Sequence, residues 1–209
     1  EKVPRRLKLV AKGVAGHGSV PRPDNSIAHL ATAVSRVSSW LPPMKLNDIT
    51  RTYFERLAGI SSPEARQCYN DLFDSSKRAA AEEYLAQHEL RHSSMLRTSI
   101  SPTIIKGGFR MNVIPSDAEA DLDVRAVPDE DMPAFLEMMR KLINDPSIEV
   151  REQAPGRPSA PASNIDTPMF RILESVAKRT YPGVTVLPTM LTGATDMSLA
   201  RAKGVNSYG

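Results

Sequence analysis

Between Asp117 and Ala126 the chain alternates without a slip: Ala118, Ala120, Leu122, Val124 and Ala126 are apolar, and Asp117, Glu119, Asp121, Asp123 and Arg125 are charged. A period of two places the first set on one face of a β-strand and the second set on the other. Such a strand needs a core beneath it and leaves a charged face above, so it belongs to a sheet covered on one side only. Arg5 to Lys12 repeats the pattern, with Leu7, Leu9 and Ala11 opposite Arg6, Lys8 and Lys12.

The segments around these strands read as amphipathic helices. Asp24 or Asn25 can cap a helix whose stripe is Ile27, Leu30, Ala31, Val34, Val37 and Leu41, ended by Pro42-Pro43. Strand character returns over Leu96–Lys106, and Gly107-Gly108 supplies a turn or bulge. After Pro128, the acids Asp129, Glu130 and Asp131 open a second helix with the stripe Phe135, Leu136, Met139, Leu142 and Ile143. A short strand follows over Ser147–Gln153. The order is β-α-(insert)-β-β-α-β, which predicts an α+β fold: a four-stranded antiparallel sheet with two helices on one face, the ferredoxin-like split βαβ pattern. Residues 44–92 read as short helices with Ser, Pro and Gly caps, a helical insertion. The predicted organisation is one domain over 1–154, a Pro/Ala/Ser linker over 155–164, and an α/β piece over 165–209, with a helix over 165–180 and strands at Val184–Leu191 and from Val205.

Composition removes several classes. No apolar run approaches the roughly 18–20 residues of a membrane span. The 27 basic residues are interspersed with 24 acidic ones and only 5% of residues are aromatic, which argues against a nucleic-acid surface. The single Cys68 excludes an internal disulfide framework and a cysteine-rich zinc knuckle. The chain opens on EKVPRRLKLV without a Met and reads as starting mid-protein.

Three motifs carry candidate chemistry. In Gly16-His17-Gly18-Ser19-Val20-Pro21 a histidine between two glycines has little bulk to shield its ring from a ligand; the alternative is a tight turn with an incidental His. His88-Glu89-Leu90-Arg91-His92 matches the H-E-x-x-H pattern of zinc proteases, with Glu89 as base. Against it, Ser93-Ser94 follows at once and no later His supplies a third ligand, so the segment reads as an exposed helix end. Gly193-Ala194-Thr195-Asp196 is a strand-to-helix turn suited to a carboxylate, or a plain helix cap. Asn112 and Arg125 are further polar candidates, Arg125 reading equally as part of a surface charge ladder.

GHGSVPRPDNSIAHLA, TIIKGGFRMNVIPSDAEADLDVRAVPDED and TGATDMSLARAKGVNSYG occur in one order and spacing. Together they resemble the co-catalytic zinc exopeptidase/amidohydrolase family, which includes carboxypeptidase S, carboxypeptidase G, aminoacylase and acetylornithine deacetylase. The long helical insertion looks most like the carboxypeptidase S branch. The resemblance implies a hydrolase of peptide or N-acyl amino acid amide bonds, working as a homodimer with two zinc ions in the full-length enzyme. It makes 1–154 the lid and dimerisation domain and 165–209 part of the catalytic domain. It assigns His17 to a catalytic role as oxyanion donor in the partner's active site. Asn112, Arg125, Gly193 and Thr195 become substrate contacts.

The departure from the family is large. Its metal ligands, an His-x-Asp segment, a bridging Asp, a Glu-Glu pair, a further acid and a final His, are not in this sequence; Glu82-Glu83 lies in the wrong place. The segment alone is therefore expected to hold no zinc and to turn nothing over. Two other readings stand beside the family one: a non-catalytic dimerisation or binding module, and a mono-zinc protease through His88, Glu89 and His92.

Overall fold

The computed structural model describes residues 1–153 and 157–208. In chain order the elements begin with β1 (Val3–Lys12), β2 (Gly16–His17) and α1 (Ser26–Ser39). Four helices follow: α2 (Asp48–Gly59), α3 (Pro63–Asp71), α4 (Arg78–His88) and α5 (Leu90–Met95). Then come β3 (Ser99–Gly107), β4 (Val113–Ile114), β5 (Asp117–Ala126), α6 (Met132–Ile143) and β6 (Ile148–Glu152). The chain closes with α7 (Pro168–Thr180) and α8 (Met197–Arg201). Two compact units result: Pro4–Pro42 with 98–153, and Glu1–Val3, Pro43–Arg97 with 157–208.

The first unit has the expected α+β architecture. Its four-stranded sheet has the order β3-β5-β1-β6, with β3 antiparallel to β5 and β1 antiparallel to β6. The alternation read in β5 is realised: Ala118, Ala120, Leu122, Val124 and Ala126 are all buried. Beside them Leu7, Leu9 and Ala11 of β1 are fully enclosed. On the opposite face Lys8 bridges Glu119 at 2.9 Å and Asp121 at 3.5 Å, so the charged face is laced across strands rather than empty.

Helices α1 and α6 cover the apolar face and meet through Trp40 and Phe135, whose rings stack at 5.3 Å. Asn25, not Asp24, caps α1, accepting from the N–H groups of Ile27 and Ala28. The buried stripe is Ser26, Leu30, Ala33 and Val37, rotated from the predicted one. The small Ser26 and Ala33 let the helix sit close to the sheet, and the Ser26 hydroxyl donates to the Pro115 carbonyl at 2.9 Å. Ile27 is thereby turned outward and stays 43% exposed. Asp131 caps α6 through the Ala134 N–H, and Asn144 ends it in the left-handed region at φ 44°. His29 joins this end to α1 through a 2.6 Å contact with Asp145. Burial opposes ionisation of Asp145, but hydrogen bonds from Ser147 and His29 outweigh it and hold the carboxyl below its usual range.

The second unit is helical. Phe54, Leu72, Leu85, Met95 and Leu96 are fully buried, and Tyr53, Tyr69 and Met190 join the same core. Asn47 and Thr50 form a capping box at the start of α2, and Ser62-Pro63 start α3, as a Ser/Pro cap should. The stretch 44–92, read as an insertion in the first domain, groups instead with the C-terminal segment. The reason is burial: Met190 and Leu187 pack into its core, and Arg56 reaches Glu174 and the Val186 carbonyl, the latter at 2.8 Å. The strand expected over Val184–Leu191 does not form: among the described residues this segment belongs to no sheet. Of the expected linker, residues 155 and 156 lie outside the described residues, as do the boundary residue 154 and Gly209.

Candidate functional site

The His17 loop is built by a second, miniature ladder that periodicity does not reveal. β2 and β4 pair antiparallel, with Gly16 opposite Ile114 and His17 opposite Val113. The Gly18 N–H donates to the Asn112 carbonyl at 2.8 Å, and the Gly13 N–H to the Ser116 carbonyl at the same distance. Glycine is required at position 13, since a Cβ there would lie 2.2 Å from the Asp24 carbonyl oxygen. The two distant motifs GHGS and RMNVIP are thus clamped side by side.

This clamp sets the chemistry of His17. Its Nδ1 accepts from the Ser19 N–H at 3.2 Å, with the Ser19 hydroxyl at 2.7 Å. A ring nitrogen that accepts carries no proton, so in the neutral imidazole the proton sits on Nε2. Nε2 lies 3.5 Å from Asn112 Nδ2, and His17 is exposed. Two N–H donors therefore stand together at the surface, an arrangement suited to one oxygen that accepts from both.

Beside them runs a groove of about 650 Å³, lined by Ile27, Phe109, Arg110, Met111, Ile114 and neighbouring residues. Phe109 and Met111 are 78% and 102% exposed. Arg22, also on the groove, is held by Asp24 at 2.9 Å, and its hydrogen bonds keep the Asp24 carboxyl below the usual range. Sequence reasoning did not single out Ser19 or Arg110. The G-H-G-S spacing placed Ser19 within reach; Arg110 has no local signal beyond its nearness to Asn112.

Arg125 is not brought to this end. Its guanidinium grips Asp123 in a two-bonded pair at 2.8 and 2.9 Å. It also sits near the far end of β5, roughly 26 Å from Asp117 at ~3.3 Å per residue. Gly193 and Thr195 belong to the helical unit. There the Thr195 N–H and hydroxyl both donate to a Glu1 carboxylate oxygen, at 2.9 and 2.5 Å, and Arg201 lies 3.0 Å from the other oxygen. Burial opposes ionisation of Glu1, and the Thr195 hydrogen bonds and Arg201 more than offset it. The turn does bind a carboxylate, one supplied by the chain itself. Around Gly193 the space is open, the nearest atom being Leu191 Cγ at 4.0 Å from a built Cβ.

The H-E-x-x-H segment differs from both readings made of it. Glu89, at φ −134° and ψ 63°, separates α4 from α5, so His88 and His92 do not sit one turn apart on a continuous helix. His88 packs on Tyr84, their rings 4.7 Å apart. His92 is not an exposed helix end: its ring meets those of Tyr53, Phe54 and Tyr69 edge-on. Its Nδ1 bonds Glu89 and its Nε2 faces the Tyr53 hydroxyl at 3.0 Å, while the Tyr69 hydroxyl donates to Glu89. Burial, then the Glu89 hydrogen bond, pushes the Tyr69 phenol well up. Among the described residues, no group of three or more His, Cys, Asp or Glu side chains is placed to hold a metal ion, and no helix is long and apolar enough to cross a membrane. The donor set present therefore does not fit a zinc centre.

Comparison with known proteins agrees with this architecture. The chain is 29% identical over 190 residues to a probable carboxypeptidase S-like 2 of Dictyostelium discoideum, covering 91% of this chain and 36% of that protein. It is 26% identical over 199 residues to the N-fatty-acyl-amino acid synthase/hydrolase PM20D1.1 of Danio rerio, covering 94% of this chain and 38% of that protein. The chain thus spans less than two-fifths of these relatives' lengths. In fold it resembles the M20 family metallo-carboxypeptidase Sso-CP2 of Sulfolobus solfataricus, with a TM-score of 0.58, 17% identity, and coverage of 98% of this chain and 56% of that one. Residues 5–151 match the peptidase dimerisation domain, M20_dimer, and on that match the chain belongs to the M20 peptidase family through its dimerisation domain.

Proposed function

We propose that this chain is the lid and dimerisation portion of a metal-dependent hydrolase that cleaves peptide or N-acyl amino acid amide bonds. The observation that carries the reading is the pair of adjacent donors, His17 Nε2–H and the Asn112 amide, 3.5 Å apart at the surface. Amide hydrolysis passes through a tetrahedral intermediate whose oxygen is anionic, and fixed N–H donors stabilise that charge without reorganising. The names of the relatives, a carboxypeptidase and an N-fatty-acyl-amino acid hydrolase, point to the same bond class. Two zinc ions in the full-length enzyme would polarise the carbonyl and activate water; their ligands are outside this sequence. His17 serves the partner's site, Asn112 assists it, and Gly193 and Thr195 are further substrate contacts; Arg125, held by Asp123, is not among them. The test is hydrolysis of N-acetyl-leucine and a dipeptide by the full-length protein with and without a chelator. Turnover that chelation abolishes is expected; no turnover of either substrate, or turnover indifferent to chelation, would sink the reading.

The homodimer forms through β3. This edge strand is exposed from Ser101 to Gly107, and Ile104 and Ile105 are 48% and 62% exposed. An edge with free ladder groups and apolar side chains pairs readily with another copy of itself. Ile105→Lys adds a charge there without touching the core. Sedimentation of the Ile105→Lys variant should show at least about a tenfold weaker dimer than wild type, as a charged edge opposes pairing. An unchanged dimer would move the interface elsewhere, and a wild type that is monomeric at all concentrations would remove it.

A further inference from the structure

We infer that Glu1 is a positioning residue: its buried carboxylate fixes the shape of the turn bearing Gly193 and Thr195, and so the fit of a substrate there. The inference rests on the amide-hydrolase reading above. Every polar group of Thr195 is already engaged. Its N–H and hydroxyl both donate to Glu1 Oε2, at 2.9 and 2.5 Å. Its carbonyl accepts from the Ser198 hydroxyl at 3.0 Å and from Arg157, whose guanidinium also lies 3.0 Å from the Asp196 carboxylate. Thr195 therefore meets a substrate only in the shape that these bonds impose on the turn. Gly193, two residues earlier, is the opposite case, with open space around it. One side of the turn is braced and the other is free, as a contact surface with a rigid backing requires.

Stability alone does not account for this brace. The Glu1 and Arg201 side chains are 3% and 6% exposed, and their ion pair closes at 3.0 Å. Yet Glu1 Oε1 and Arg201 Nε have no hydrogen-bond partner among the described residues. Taking two charges out of water is costly, and an incompletely bonded pair recovers that cost poorly. An apolar pair of the same volume would hold the fold at least as well. What an apolar pair cannot do is set direction. A carboxylate oxygen that accepts from both the N–H and the hydroxyl of one residue fixes its backbone and its rotamer together. Glu1 is itself held in place by its neighbour. Lys2, fully buried, donates its N–H to the Leu191 carbonyl at 2.9 Å and its ammonium to the Ser94 hydroxyl at 3.0 Å. Leu191 lies two residues before Gly193, so one short segment registers both the carboxylate and the turn it holds.

The experiment measures hydrolysis of N-acetyl-leucine by the full-length protein, with kcat referred to total enzyme. Glu1→Ala should raise KM about tenfold, the size of one hydrogen bond to a charged group, with kcat within about twofold of wild type. Glu1→Asp keeps the charge but is one methylene shorter, and should recover part of the loss. Thr195→Val, close in shape and lacking the hydroxyl, should also raise KM. The double variant Glu1→Ala/Thr195→Val should lose less than the product of the single losses, since both break one contact. If Glu1→Ala does not fold, Glu1→Asp and its double variant with Thr195→Val carry the same comparison. A purely structural brace gives a different pattern: part of the enzyme unfolds, so kcat falls and KM stays. An unchanged KM, or single losses that multiply in the double variant, would overturn the inference and leave the hydrolase reading intact. A wild type that cleaves neither N-acetyl-leucine nor a dipeptide would overturn both.

Discussion

Phe54→Ala is expected to cost the helical unit about 3–5 kcal/mol, the range for deleting a buried aromatic ring. Phe54 is fully enclosed and touches three rings, with centroids 5.2 Å from Tyr53, 5.6 Å from Tyr69 and 5.4 Å from His92. Its removal leaves a void beside the Tyr69–Glu89–His92–Tyr53 chain of hydrogen bonds, where water would compete for Glu89. Tyr53→Phe is the matched control: it removes one hydroxyl and keeps the packing, so a loss of about 1 kcal/mol is expected. Urea unfolding followed by far-ultraviolet circular dichroism measures both. A Phe54→Ala loss no larger than that of Tyr53→Phe would mean that these helices do not share one cooperative core.

That core also marks the limit of what the sequence makes legible. Alternation in β5 and β1 is a property of consecutive residues, and it predicts faces that the structure realises at Leu7, Leu9 and Leu122. Helix positions are equally local, which is why Asn25, Ser62 and Asp131 appear where caps were expected or fit the capping chemistry. Which body a helix buries its stripe against is another matter, because apolar contact is not directional. Nothing in residues 44–92 shows that Met190, a hundred positions on, shares their core. The H-E-x-x-H match fails for a related reason: a pattern counts residues, whereas Glu89 departs from helical backbone and sends His92 into an aromatic nest. At the site the histidine between two glycines was visible. Its partner was legible only through the family motif, since β2 and β4 are two residues each and two residues have no period.

His17→Ala in the full-length protein is expected to lower kcat about 10²- to 10³-fold, the cost of losing one oxyanion donor. KM should change little, because the donor meets its strongest charge only in the transition state. The orientation of the ring supports a graded series. Ser19→Ala leaves the imidazole but removes the hydroxyl 2.7 Å from Nδ1, while the Ser19 N–H remains to hold the tautomer, so its effect should be far smaller. Asn112→Ala removes the neighbouring donor, and the double variant with His17→Ala should lose less than the product of the two single losses, since the pair serves one oxygen. A loss that falls entirely in KM would make His17 a ground-state contact and remove the oxyanion role. Placement across the dimer has its own readout. A heterodimer of one His17→Ala protomer and one protomer disabled at its metal ligands contains, if His17 acts in trans, one site with an intact metal centre and an intact histidine from the other chain. Activity recovered on mixing two inactive variants requires that arrangement; failure to recover it in a verified heterodimer would place the histidine in its own protomer's site.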